Sequence, residues 1–61
     1  MILTTTILVR KYVLINDKSV DIIGVVVPST HVSQYLVDFD YLGVSYRGLW
    51  EKSEILETIE I

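Results

Sequence analysis

Apolar and polar residues alternate along most of this chain with a period of two, the spacing of a strand with one buried face. The clearest case runs from Tyr35 to Tyr41, where Tyr35, Val37, Phe39 and Tyr41 share one face and Leu36, Asp38 and Asp40 the other. Leu42-Gly43 supplies the permissive backbone of a tight hairpin turn, after which Val44, Tyr46, Gly48 and Trp50 lie on one side of a following strand. These two strands are expected to pair antiparallel. Upstream, Ile7 to Ile15 places Ile7, Val9, Val13 and Ile15 on one face, interrupted by Lys11, with Leu8, Arg10, Tyr12 and Leu14 on the other. It reads as one strand, or as two short ones bent near Arg10-Lys11. Asn16 to Ser19 is a polar cluster whose side chains favour a turn.

Two segments depart from simple alternation. Ile22 to Val27 has almost no polar residue, as in a strand buried on both sides or strongly curved, and Gly24 within it allows a bulge or a close approach. Pro28 ends the run because it has no backbone N–H to donate, and Ser29 to Ser33 forms the next loop. After Trp50, Glu51 to Glu54 suits a single 3₁₀ turn and Ile55 to Ile61 a last strand. The competing reading is a short helix capped by Ser53, with Ile55, Leu56 and Ile59 at helical spacing, but about nine residues is marginal without tertiary support.

Composition agrees with strands. The 61 residues are half apolar, rich in Val, Ile and Leu and devoid of Ala, the best helix former. A chain this short makes one domain, residues 1–61, with one core and no room for a deep catalytic cleft. The absence of Cys removes disulfides, thiol catalysis and thiolate metal sites, and points to a reducing, cytoplasmic setting. The apolar start Ile2-Leu3 is too short to span a bilayer and lacks the basic flank of a signal peptide, so it reads as mature sequence without a membrane partner. A net charge of −3 sets the overall field against nucleic acid. Half the residues being apolar, side chains are left over once so small a core is filled, which implies a homo-oligomer or an obligate protein partner.

The order "IGVVV", loop, "YLVDFDYLG", "YRGLWEKSEIL" resembles the layout of SH3-like barrels. That layout has a Gly-led second strand (Gly24 to Val27), a Tyr-x-Val-x-Phe third strand (Tyr35 to Phe39) and an aromatic fourth strand (Tyr46 to Trp50). A short turn and a final Ile/Leu strand (Glu54 to Leu56) complete it. The resemblance covers Tyr12 to Ile59 and implies an all-β, five-stranded small barrel with a 3₁₀ turn before the last strand. Within that group the chain is similar to Tudor and KOW modules and to the photosystem I subunit IV and ferredoxin-thioredoxin reductase variable-chain proteins. Those relatives imply, respectively, an aromatic cage for methylated Lys or Arg, nucleic-acid contacts, and docking to an acidic ferredoxin. The acidic balance of this chain opposes the last two.

No catalytic constellation emerges from the residues. Asp38 and Asp40 project from one face two residues apart, as a carboxylate pair or weak cation site would, but a half-buried strand presents its solvated face in the same way. His31, beside Ser29, Thr30 and Ser33, lacks the scaffold that a hydrolase triad needs, and reads as a loop residue. Glu51, Glu54, Glu57 and Glu60 would form a phosphate-mimicking stripe only on a helix; on a strand they are a solvated edge. The aromatics carry more. Trp50 and Phe39 suit the core, but both faces of the third and fourth strands cannot be interior, so Tyr35, Tyr41, Tyr46 and Trp50, with Arg47, make a candidate aromatic binding patch. The expected function is a non-enzymatic protein-interaction module without cofactor, such as an accessory or inhibitory factor of a phage or mobile element that binds a host protein. The alternative is a nucleic-acid or nucleoprotein accessory module of KOW or Tudor type.

Overall fold

The computed structural model describes residues 5–61, and the apolar start Ile2-Leu3 lies outside them. Five strands, β1 (Ile7–Ile15), β2 (Lys18–Val27), β3 (Gln34–Tyr41), β4 (Val44–Glu51) and β5 (Glu57–Glu60), form one antiparallel sheet in the order β4-β3-β2-β1-β5. The fold is all-β, as the alternation requires, and the one helical piece among the described residues is the 3₁₀ turn Lys52–Glu54 before the last strand. No helix among the described residues is long and apolar enough to cross a membrane.

Two tight turns set the register of the hairpins. Asn16 and Asp17 both take positive φ, 51° and 63°, the backbone that two-residue hairpin turns need and that Asn and Asp tolerate best among non-glycine residues. The turn is therefore shorter than the polar cluster, and Lys18 and Ser19 already belong to β2, opposite Ile15 and Leu14. Leu42 and Gly43, at φ 50° and 78°, make the second turn and place Tyr41 opposite Val44.

β1 is a single strand, yet Arg10-Lys11 does mark a change. β5 pairs with it only from Ile7 to Arg10, while β2 runs along the other edge to Ile15. The core is assembled from both hairpins: Val9, Ile15 and Ile22 from β1 and β2, and Val37, Phe39 and Trp50 from β3 and β4. β2 is the element that joins them. It pairs with β1 through Val25 but with β3 only at Val25, Val26 and Val27. Gly24 permits this junction, since a Cβ there would run into Val37 Cγ1 and lie 3.0 Å from the Asp38 carbonyl oxygen.

Two expectations need correction. β2 is not buried on both sides, because Ile22 and Gly24 face the core while Ile23 and Val25 are exposed. The barrel is not closed either. The short β5 is consumed in pairing with β1, so β4 and β5 end the sheet without a ladder between them.

Candidate functional site

Directly opposed residues of an antiparallel pair point to the same face. Tyr35 opposes Trp50, Phe39 opposes Tyr46 and Tyr41 opposes Val44, so the four candidate aromatics all lie on the core face. Phe39 organises them, its ring 5.1 Å from Tyr46 in a near-parallel stack and 5.5 Å from Trp50. Trp50 is buried, and Tyr35, Tyr41 and Tyr46 are half-buried against the core. Two ammonium groups approach the rim, Lys11 Nζ at 5.6 Å from the Trp50 ring and Lys52 Nζ at 4.9 Å from Tyr35. Arg47 does not join them. It opposes Asp38 on the other face of β3 and β4.

The charged groups of that outer face are tied to one another. Arg47 grips Asp38 with both arms of its guanidinium, Nε on Oδ1 and Nη2 on Oδ2 at 2.8 Å. These hydrogen bonds hold the Asp38 carboxyl below its usual range, partial burial opposing them and the Arg47 charge adding to them. Arg10 reaches across β1 to Asp21 at 2.7 Å and Glu57 at 3.3 Å, and bonding to Asp21, then its charge, raise the guanidinium's already high pKa. Lys52 donates to the Val32 carbonyl at 2.8 Å, and Lys11 stands 3.8 Å from Glu54. The acidic residues at the C-terminus therefore form no common stripe, and two of them face cations. The Asp40 side chain is exposed, and the His31 backbone N–H donates to Ser29 Oγ in an exposed loop turn.

Between those ion pairs lies a surface that the aromatic reasoning missed. Leu8 opposes both Ile59 of β5 and Val25 of β2, Ile23 and Val27 flank Val25 on the same face of β2, and Val27 opposes Leu36, which opposes Leu49, so an aliphatic stripe crosses the outer face of all five strands beside the Asp38–Arg47 pair. Ile23 is 56% exposed, Leu49 46%, Val25 44% and Ile59 38%. The register of β5 sharpens the point. Its isoleucine turns outward while Thr58 and Glu60 take the positions opposite Val9 and Ile7. The unbroken Ile22 to Val27 run held the signal, since a strand without polar residues puts aliphatics on whichever face the core leaves uncovered. The chain matches no family model, no curated protein and no solved structure.

Proposed function

We propose that this chain is a non-enzymatic protein-interaction module on an SH3-like layout, and that the outer aliphatic stripe is its docking face. The single observation that carries the reading is the exposure of Ile23, Val25, Leu49 and Ile59 on one continuous face of the sheet. Scattered surface aliphatics are ordinary, whereas a contiguous stripe with a polar rim is the anatomy of an interface. The meander β2-β3-β4, the 3₁₀ turn after β4 and the return of β5 to β1 support the SH3-like assignment.

Charge favours a protein over a nucleic acid. Arg10 and Arg47 are each held by carboxylates, and five basic side chains stand against eight acidic ones, so the overall field opposes phosphates. A small acidic factor of a phage or mobile element that docks on a host protein fits this chemistry, with a second copy of the chain as the other occupant of the face. The test is capture from native extract, with light scattering of the purified protein, comparing wild type with Ile23→Asp and Val25→Asp. Both substitutions are expected to leave the fold intact and to abolish partner capture or self-association. Undiminished association by folded variants overturns the proposal, and retention on heparin reversed by salt replaces it with the nucleic-acid reading.

A further inference from the structure

The sheet leaves two bare strand edges facing one gap. Among the described residues, β5 covers its edge of β1 only through Arg10, so that edge is unpaired from Lys11 to Ile15, and β4 is unpaired along the edge away from β3. Between them lies an open groove of about 400 Å³, lined by the consecutive residues Lys11 to Leu14 and Tyr46 to Trp50, with Phe39 and Glu54 alongside. Consecutive residues of a strand point to alternate faces, so what five in a row have in common is their backbone edge. The groove is bordered by main-chain N–H and C=O groups at ladder spacing.

Two features inside the groove specify a guest. Gly48 sits between Tyr46 and Trp50 on the core face, and a Cβ built there meets nothing within 4 Å, which leaves a gap between the two rings. A strand glycine of this kind lets another chain come close. The Lys11 side chain is only 16% exposed, yet its ammonium, 3.8 Å from Glu54, is beyond hydrogen-bond reach of that carboxylate and makes no hydrogen bond among the described residues. It stands over Trp50 with donors to spare.

We propose that the groove takes an extended peptide segment of a protein partner, which adds a strand along β4, seats an aliphatic side chain over Gly48 and places a carboxylate on Lys11. Repeating free N–H and C=O groups are matched by another extended backbone and not by a helix, whose own groups are satisfied internally. Lys11 lies over Trp50, two residues from Gly48 on the same face, so the aliphatic and acidic residues of the guest are two positions apart. This mode is separate from docking on the outer stripe: the two share Leu49, but Gly48, Lys11 and Trp50 belong to the groove alone.

The experiment is a titration of ¹⁵N-labelled protein with a short acetylated peptide in which Thr alternates with Val, Ile, Glu and Val. Saturable shifts and slowed amide exchange are expected in Val44 to Trp50 and Lys11 to Leu14, and alternate N-methylation of the peptide backbone is expected to abolish them. Gly48→Val, for which there is space, is expected to weaken binding about tenfold or more. Lys11→Gln and a Glu-to-Gln change in the peptide are each expected to weaken it, and not to add when combined. Ile23→Asp is expected to leave peptide binding unchanged, which keeps this proposal distinct from the outer-face reading. No protection at β4 up to about 1 mM peptide, the weak end of specific recognition, overturns it. So does undiminished binding by folded Gly48→Val, or protection of the same amides by self-association without peptide.

Discussion

Gly24 and Gly48 occupy the same face of the same sheet, and their surroundings are opposite. Gly24 lies where β2 crosses from one hairpin to the other, and a methyl group there collides with Val37. Gly48 lies on β4, at the edge of the sheet, and a methyl group there meets nothing within 4 Å. The difference is one of neighbours and not of residue type. A sheet position is crowded or vacant according to whether another strand passes over it, and among the described residues β4 has a partner on one edge only.

The largest test of this contrast is at the next inward position on β4. Trp50→Ala is expected to cost about 4 kcal/mol, against a total stability of about 3–9 kcal/mol for a chain of this size, and to leave much of the protein unfolded in a urea titration. Leu49→Ala, its outward neighbour, is expected to cost less than about 1 kcal/mol. Gly24→Ala is expected to destabilise by about 2 kcal/mol through overpacking, whereas Gly48→Ala is expected to stabilise by about 0.5 kcal/mol through a less flexible unfolded chain. Equal responses at the two glycines would erase the comparison. At the turn beyond them, Leu42 is exposed and holds φ at 50°, a conformation unfavourable to its side chain. Leu42→Asn is expected to raise stability by about 1 kcal/mol, read as a higher denaturation midpoint with an unchanged slope.

The smallest effect is at Asp38. Its folded pKa lies below the ordinary 3.8, so the native state releases this proton more readily than the unfolded chain does. The contribution of the Asp38–Arg47 pair is therefore fully present above the unfolded value and is lost as the pH falls through the folded one. Asp38→Asn is expected to flatten that acid limb and to change little at neutral pH, because the pair is exposed and solvent screens it. An unaltered acid limb in thermal melts across pH would show that the pair adds nothing to the fold.

Much of the fold was legible along the chain. The hairpin from Tyr35 to Trp50, the loop after Pro28, the 3₁₀ turn and the final strand each follow from short-range features: alternation, a missing N–H, a turn dipeptide. Sequence reasoning also recognised that the chain has more apolar residues than a small core absorbs. It placed the surplus on the aromatics, however, because large rings suggest binding, and the register turned those rings inward. Apart from Tyr12, the exposed surplus on β1, β2, β4 and β5 is aliphatic. Arg47 was separated from the tyrosines for the same reason, since one residue along a strand is the opposite face.

The sequence by itself determined that this protein is a set of β-strands joined by tight turns, because strand period and turn conformation depend on residues a few positions apart. Only the tertiary structure decided which strand lies beside which, where the ladder stops and which aliphatics remain outside. Those outcomes depend on pairs far apart in the chain, Leu8 with Ile59 and Val25 with Asp38, and on the four-residue β5 covering only part of β1. Pairing and burial are properties of the neighbour, and a residue's neighbour across a sheet is not encoded in the residues beside it.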